Sequence, residues 1–515
     1  MSIINQKLDD SFANMMHSLW MIMTDKNRSW VEEFEKDEEL YFNNLKQLNK
    51  FLESYQNIII NQDNKNEKRQ KEILHLETLE ISDNELHQKD SQNLWNTLHY
   101  NLITDKVSFR GKDLTKHDSL KLLKELNNPA ERKELWISYM TLGKKIAPGL
   151  VELVKLRNKI AKEKGFTNFY ELKLYSQELN ADSLNDIIDE LRNKLDPIYS
   201  VVKKNIDRRI RDKFRIKDGS PLKPWHYMDP YFQKYQKEDW DLKKFKQTDF
   251  LKQILNVFKA YDIQLEEIVA RSYFTEDKNK SPESFCLNID RNKDIRISCN
   301  IDSDINGLKV ILHELGHAVY EEYLGMDLPF LLKQPSSIFL SEGIALLFER
   351  LIMDSSIQDS INLDVSIQEK NFFENILVNL YWTITVVKFE QELYVNPDQD
   401  LNKLWWELVE DIQQISPSDD PNILGLPVWA TKSHLTTLPV YYQNYLLGQV
   451  LASQFEFTLN KVNNNQWFSQ EGIVKLKENI FSLGKLYPWK AIVKKCTGMD
   501  MNPEFLINQL TKVKE

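Results

Sequence analysis

The segment VILHELGHAVYEEYLG, residues 310–325, contains two histidines, His313 and His317, with Glu314 directly after the first. Residues four apart share one face of a helix, so both imidazoles could bind the same metal ion. Zinc accepts imidazole nitrogen, and a catalytic zinc ion keeps one coordination position for water. Zinc lowers the pKa of that water from ~15.7 toward ~7, and Glu314 could accept its proton without binding the ion. The pattern predicts a hydrolytic centre with one Zn²⁺ per chain.

The alternative is that two histidines fall at this spacing by chance on the surface of a helix. The neighbouring residues favour a buried helix instead, because positions 310–312 and 318–319 are Val, Ile, Leu, Ala and Val. Buried histidine nitrogens need hydrogen-bond or metal partners. We expect this helix to start after Asn306-Gly307 and to stop at Gly325.

The third metal ligand is not predicted on the same helix. Tyr320 and Tyr323 occupy the positions where the extended pattern HExxHxxGxxH has glycine and histidine. A ligand from a following helix is the alternative. The segment KQPSSIFLSEGIALLFERL predicts such a helix, with Ser336 or Ser337 as its N-cap.

Glu342 is the acidic residue of that second helix that lies within an otherwise apolar stretch. A lone buried acid is costly unless it is paired or binds a cation, so Glu342 is the predicted third ligand. Glu349 is the competitor. Because it lies beside Arg350, we expect it to be a salt-bridged surface residue or a residue that supports the ligands.

A second unusual segment, WATKSHLTTLPVYYQNYLLGQ, covers residues 429–449. The pattern predicts a helix from about residue 439, on which Tyr445 shares a face with Tyr442 and also with Tyr441. Three tyrosines on an apolar helix are most often core residues, each with one satisfied hydroxyl.

Lys432 and His434 precede these tyrosines in a segment predicted to be extended. Beside a hydrolytic zinc centre, the same polar groups could donate hydrogen bonds to the oxyanion of a tetrahedral intermediate. Such donors can contribute several kcal/mol to catalysis. The residues alone leave both interpretations open.

The elements that must position these residues are mainly helical. Only 14 glycines and 16 prolines in 515 residues argue against a many-stranded sandwich or barrel. The segments SFCLNI and DIRISCNI, residues 284–289 and 294–301, predict a β-hairpin directly before the histidine helix. We expect one helical domain, residues 1–515, in which the polar residues 1–125 form an N-terminal lid region.

Charge and hydropathy exclude several classes of partner. The net charge of −10 disfavours nucleic acid, which needs a basic surface. No apolar run approaches the ~18 residues of a membrane span, and Asp9 and Asp10 interrupt any signal-peptide core. Three cysteines exclude a disulfide scaffold. We therefore expect a soluble cytoplasmic protein without nucleic-acid or membrane partners.

HELGH with the later Glu342, followed by TKSHLTTLPVYYQNYLLGQ, is similar to the angiotensin-converting-enzyme-like zinc dicarboxypeptidases. These belong to the broader gluzincin group, which includes thimet oligopeptidase. The resemblance is strongest over residues 285–350 and 404–489, weaker over 130–175 and loose before 125. It implies a large two-lobed helical ellipsoid with a deep central channel that admits short peptides.

The resemblance also implies roles for the metal-site residues. His313, His317 and Glu342 correspond to the zinc ligands, and Glu314 corresponds to the general base. The implied function is a zinc metallopeptidase that removes C-terminal dipeptides. An endo-acting oligopeptidase of the thimet type is the alternative within the class, and a catalytically inactive peptide-binding relative is the alternative outside it.

For the second segment, the resemblance implies that Tyr445 and His434 stabilise the transition state. Lys432 and Tyr442 correspond to the pair that binds the C-terminal carboxylate of the substrate. The tyrosine pair lies one residue further from His434 than in the family, so Tyr441 could replace Tyr442. A carboxylate-binding glutamine has no clear counterpart, and residues 223–236 are the segment in which to search for it.

Other positions depart from the family pattern. Asn444 replaces the arginine that binds an activating chloride, which makes chloride activation doubtful. Leu346 replaces an aspartate that supports a ligand, and Leu287 replaces a histidine on the substrate-binding strand. Cys286 and Cys299 resemble a family disulfide, which we expect to be reduced in an intracellular protein.

Overall fold

A computed structural model describes residues 2–25, 27–54, 65–217, 219–235, 247–277, 280–281, 283–301, 304–361, 369–462 and 466–514. The described residues form α-helices and two short hairpins, of which the sequence predicts the helices and the second hairpin but not the first. The α-helices are α1 (Ser2–Asp25), α2 (Arg28–Ser54), α3 (Lys65–Thr78), α4 (Glu85–Thr104), α5 (Lys116–Glu125), α6 (Pro129–Thr141), α7 (Gly143–Glu163), α8 (Phe169–Ser176), α9 (Ala181–Phe214), α10 (Gln247–Ala260), α11 (Glu266–Ala270), α12 (Ile305–Glu322), α13 (Ile338–Glu349), α14 (Ser355–Ser360), α15 (Glu369–Val395), α16 (Leu401–Gln413), α17 (Pro421–Leu424), α18 (Ser433–Thr437), α19 (Tyr442–Val462), α20 (Gln470–Asn479), α21 (Trp489–Thr497) and α22 (Glu504–Thr511).

The strands are short and antiparallel. Strand β1 (Val107–Phe109) pairs with β2 (Lys112–Leu114), and β3 (Phe285–Asn288) pairs with β4 (Ile295–Ser298). Six 3₁₀ segments are described, at Pro224–His226, Phe330–Leu332, Arg350–Met353, Val428–Thr431, Phe481–Leu483 and Lys512–Lys514.

The chain divides into two compact units, each built from three separate stretches. Unit 1 contains Met1–Thr78, Glu238–Gln368 and Leu447–Leu506. Unit 2 contains Leu79–Lys237, Glu369–Leu446 and Ile507–Glu515. The region 1–125 is thus shared between the units. Its role as a lid, the two-lobed shape, the channel and the single domain stay predictions.

Unit 1 contains the histidine helix α12 and the hairpin predicted beside it. Strands β3 and β4 pair in the register Cys286 with Ile297, and both strands pack against α12. The helix starts at Ile305, slightly earlier than predicted, because the side chain of Asp304 accepts the backbone N–H of Gly307 at 2.9 Å. The predicted hairpin and its place beside the helix are confirmed.

Helices α12, α13 and α19 approach closely in unit 1 because glycine occupies the contact points. A Cβ at Gly316 would lie 2.7 Å from the Cα of Ala345 and 2.9 Å from the Cβ of Phe348. A Cβ at Gly448 on α19 would lie 2.9 Å from the Cβ of Glu342. Such distances are shorter than any van der Waals contact, so a larger residue would separate the helices.

Helix α1 of unit 1 packs on the same hairpin. Trp20 of α1 stacks on Tyr273 and meets the ring of Phe285 edge-on, with centroids 5.6 and 5.7 Å apart. The guanidinium of Arg291, between β3 and β4, lies near the Phe12 ring on α1, 4.3 Å from its centroid. Cation–π contacts of this kind add to the apolar burial of α1.

Unit 2 is organised around α7 and the long helix α15. The buried Arg157 of α7 donates to the carbonyl of Thr436 at 2.8 Å and to the hydroxyl of Tyr394 at 3.2 Å. One guanidinium therefore links α7, α15 and α18. Because α18 spans Ser433–Thr437, the prediction that His434 lies in an extended segment is wrong. The Arg157 contacts are formed between residues remote in sequence, which local pattern does not predict.

The structure is mainly helical, which confirms the predicted fold class. In the ranges given above, no helix is both long and apolar enough to cross a membrane.

The close helix contact predicts the effect of enlarging Gly316. In a helix interior, alanine is more stabilising than glycine by about 1 kcal/mol. Overpacking against a neighbouring backbone, however, typically costs about 1–3 kcal/mol of stability. Gly316→Ala should therefore lower the melting temperature in a thermal unfolding scan. Gly425→Ala is the control, since its Cβ would come no nearer than 3.3 Å to another atom. An unchanged or raised melting temperature for Gly316→Ala would contradict the packing argument.

Candidate metal centre and tyrosine cluster

His313, His317 and Glu342 converge in unit 1. One possible ligand atom from each lies within 4.8 Å of the other two. The Nε2 atoms of His313 and His317 lie 3.5 and 4.0 Å from the same carboxylate oxygen, Oε2 of Glu342. Two imidazole nitrogens and one carboxylate oxygen are the donor set of a catalytic zinc site. The three residues could hold one metal ion.

The other imidazole nitrogens contact residues that orient the rings. The Nδ1 atom of His313 lies 3.6 Å from Oε2 of Glu349, and that of His317 lies 2.9 Å from Oγ of Ser341. A contact at Nδ1 leaves Nε2 directed toward the metal position and fixes the ring plane. Sequence reasoning missed Ser341, although it directly precedes Glu342.

Glu349 is a salt-bridged residue that supports a ligand, and its side chain is 20% exposed. It pairs with Lys309 at 3.1 Å as well as contacting His313. Burial alone would raise the pKa of Glu349, but the Lys309 ammonium and the hydrogen bond with His313 lower it to about 2. The neighbouring Arg350 pairs instead with Glu456 of α19, at 2.5 Å.

The site brings acidic side chains and imidazoles together in a buried environment that shifts their pKa values. Burial raises the pKa of Glu314 to about 7, while the charge of His313 lowers it and that of Glu342 adds to the rise. Burial opposes protonation of His313, yet hydrogen bonds with Glu342 and Glu349 raise its pKa. Burial lowers the pKa of His317 to about 4, which favours the neutral imidazole that metal binding requires. The donor chemistry fits zinc.

Glu314 lies on α12 with His313 and His317, but its environment differs from that of the three possible ligands. It is 6% exposed, and it does not belong to the group within 4.8 Å. A buried carboxyl beside a metal position can accept a proton without taking a coordination site. The division between metal ligands and general base stays a prediction.

The predicted residues of the second segment come together in unit 2. The ring of His434 lies 5.2 Å from that of Tyr442 and 6.3 Å from that of Tyr445. The Tyr445 ring also lies 5.2 Å from the Tyr441 ring. We call these four residues the tyrosine cluster. Tyr442 is buried, whereas the other three members keep partial exposure.

Lys432 lies beside the tyrosine cluster, in an aromatic surround. Its Nζ atom is 5.7 Å from each of three ring centroids, those of Tyr231, Trp382 and Tyr442. It donates a hydrogen bond to Oε1 of Gln233 at 3.2 Å. Rings of this kind attract an ammonium through their π faces and leave its positive charge in place. This is not the environment of a solvated loop lysine.

Gln233 was not identified in the sequence, although it lies in the segment 223–236 in which a glutamine was sought. Gln236, at the end of that segment, lies outside the described residues. The carboxylate of Asp229 orders the loop by accepting the backbone N–H groups of Tyr231, Gln233 and Lys234 at 3.0–3.2 Å. The contact between Gln233 and Lys432 spans 199 residues, which sequence pattern does not predict.

The remaining departures from the family pattern also have defined positions. Cys286 and Cys299 are free thiols, and burial raises the pKa of both. Leu346 is buried on α13, and Asn444 is fully buried on α19. The reduced state of the two cysteines in the cell stays a prediction.

Comparison with known protein families identifies the chain. The model of peptidase family M3 matches residues 122–512, and the model of angiotensin-converting enzyme matches residues 1–224. The comparison with curated proteins gave no match. The first match covers well over half of the chain and includes the metal group and the tyrosine cluster. The chain belongs to peptidase family M3, and it is a metallopeptidase.

Proposed function

We propose that this metallopeptidase hydrolyses short peptides at a zinc ion held by His313, His317 and Glu342, and that it releases C-terminal dipeptides. The observation that carries the proposal is the convergence of two Nε2 atoms on one oxygen of Glu342, at 3.5 and 4.0 Å. Zinc dependence in the matched families supports the choice of metal.

When bound, zinc supplies a Lewis acid that polarises the scissile carbonyl and lowers the pKa of water. Glu314 is proposed to take a proton from the attacking water and to pass it to the departing amine. Its buried carboxyl, with a pKa near 7, is suited to both steps at neutral pH. Glu349 and Ser341 hold the two imidazole rings in orientation during the reaction.

The resemblance supports roles for the tyrosine cluster. Tyr445 and His434 are proposed to donate hydrogen bonds to the negative charge that develops on the former carbonyl oxygen. Their rings lie 6.3 Å apart, and both side chains keep partial exposure, so their polar groups can reach a ligand.

Lys432 is proposed to bind the substrate's C-terminal carboxylate, with Tyr442 as its partner and Tyr441 as the alternative. The contact between Lys432 and the Tyr442 ring supports the first choice. Gln233, whose amide Oε1 accepts from Lys432, is a candidate for the missing glutamine because its Nε2 could donate to the same carboxylate.

An endo-acting oligopeptidase remains the second candidate. The angiotensin-converting-enzyme model stops at residue 224, so the match over the metal group and the cluster is to family M3 alone. The catalytically inactive alternative has less support, because all the nominated residues are present. A cytoplasmic location, substrates limited to free peptides and the lack of chloride activation are parts of the proposal.

Replacing the proposed base tests the assignment of Glu314. Glu314→Gln should retain zinc, because Glu314 is not a ligand, but should lose about 10²- to 10⁴-fold in kcat. Zinc is measured by elemental analysis and turnover with a quenched fluorescent peptide. Glu322→Gln, an acid of the same helix paired with Lys293, is the control. Loss of zinc or full turnover in Glu314→Gln would rule out the proposed role.

Free-acid and amidated forms of one hexapeptide test the cleavage register. Amidation removes a charge-assisted hydrogen bond to Lys432, so kcat/KM should fall roughly ten- to a hundredfold, equivalent to ~1.5–3 kcal/mol. Mass spectrometry should show dipeptides released in succession from the C-terminus. Lys432→Gln should abolish the preference for the free acid, while the exposed control Lys403→Gln should keep it. Equal rates for both forms, or internal cuts at any distance from the C-terminus, would favour the oligopeptidase.

A further inference from the structure

The residue directly before the three tyrosines of the cluster has an unusual backbone conformation. Val440 has φ of 53°, in the left-handed region that residues with branched side chains rarely adopt. It is also fully buried. A strained conformation of this kind persists only where surrounding contacts enforce it.

Both polar groups of the Val440 backbone are held by buried or part-buried side chains. Its N–H donates to Oε1 of Glu390 at 2.8 Å. Its carbonyl accepts from Nε2 of Gln443 at 2.5 Å and from Nε2 of Gln177 at 3.2 Å. Gln443 in turn donates to Oε1 of Gln177 at 3.2 Å. These contacts fix the backbone where α18 ends and α19 begins.

Glu390 is a buried acid that the proposed mechanism does not use. It lies on α15, is 2% exposed, and burial raises its pKa to about 8 against the opposing effects of the Val440 N–H, Arg157 and Lys173. Burying a carboxyl is unfavourable unless it has a specific partner. Its oxygen satisfies an N–H that would otherwise be buried without an acceptor.

The direction of the chain at Val440 decides where the next residues point. The backbone N–H of Asn444 bonds to the carbonyl of Tyr441 at 2.8 Å, so the first turn of α19 forms immediately after the left-handed residue. Tyr441, Tyr442 and Tyr445 all lie on this turn or directly before it. A changed φ at Val440 would rotate all three tyrosines together.

We infer that Glu390 is a positioning residue for the tyrosine cluster, acting through the left-handed backbone of Val440. Its task is to accept one backbone N–H and so to hold Tyr441, Tyr442 and Tyr445 in register with His434. The inference rests on the proposed function, because the catalytic effect of moving the tyrosines depends on the roles assigned to them.

Two substitutions at Glu390 distinguish the effect of its hydrogen-bond acceptor from the effect of its charge. Glu390→Gln keeps an oxygen at the same place and should stay within about threefold of wild-type kcat. Glu390→Leu removes the acceptor and should lower kcat by about ten- to a hundredfold, with zinc content unchanged. Adding Val440→Gly to Glu390→Leu should restore most of the loss, because glycine adopts positive φ without a side-chain penalty. A role limited to packing around Glu390 would not be relieved by glycine at position 440.

Glu374→Leu is the matched control, since Glu374 is a buried acid about 24 Å earlier on α15 by the ~1.5 Å rise per residue. It should leave kcat within about threefold of wild type.

If Glu390→Leu does not fold, Gln177→Leu tests the same backbone segment, because Gln177 contacts Val440 from the part-exposed side. That substitution should lower kcat by about three- to tenfold. Wild-type kcat in the folded variant, or equal losses in Glu390→Gln and Glu390→Leu, would overturn the inference.

Hydrogen–deuterium exchange of residues 438–446 gives a readout that does not depend on peptidase activity. The Val440 amide should exchange about tenfold faster or more in Glu390→Leu than in wild type or Glu374→Leu. If the wild-type protein hydrolysed no peptide, the proposed function would fail, and the exchange result would still decide the inference. Equal exchange in Glu390→Leu and wild type would overturn it.

Discussion

The metal centre depends on how closely three helix backbones approach in unit 1. At Gly316 of α12, at Gly343 of α13 and at Gly448 of α19, an added Cβ would lie 2.7–3.0 Å from atoms of the neighbouring helix. The absence of side chains at these points lets the carboxylate of Glu342 reach both imidazoles. The glycine within HELGH therefore has a packing role that is separate from the chemistry of the motif.

Buried carboxylates organise both units, in two different ways. In unit 1, Glu342 and Glu349 contact the histidines, and the carboxylate of Glu342 lies where it could also bind a cation. In unit 2, Asp229 and Glu390 accept backbone N–H groups in loops that contain left-handed residues, Phe232 and Val440. The first loop carries Gln233, and the second leads into Tyr441 and the start of α19. The side chains to which we assign catalytic and binding roles are thus held through their backbone as well as through direct contacts.

Local features could be predicted from the sequence. The spacing of HELGH, the N-cap at Ser337 and the hairpin before α12 depend on neighbouring residues, and the structure confirms the cap and the hairpin. Glu342 could be nominated because an acid in an apolar helix needs a partner. The contacts of Glu349 with His313 and of Gln233 with Lys432 could not be predicted, because they join residues distant in the chain. The extended conformation predicted for His434 was wrong, because this residue lies in the short helix α18.

X-ray absorption at the zinc edge of the purified protein tests the central claim most directly. The account predicts about one zinc per chain, bound by two imidazole nitrogens and by oxygen at about 2.0–2.2 Å, with no sulfur in the first shell. His317→Ala should remove this signal. A sulfur ligand at about 2.3 Å would instead place the metal at one of the cysteines, Cys286, Cys299 or Cys496. That result, or an active protein without bound metal, would contradict the account.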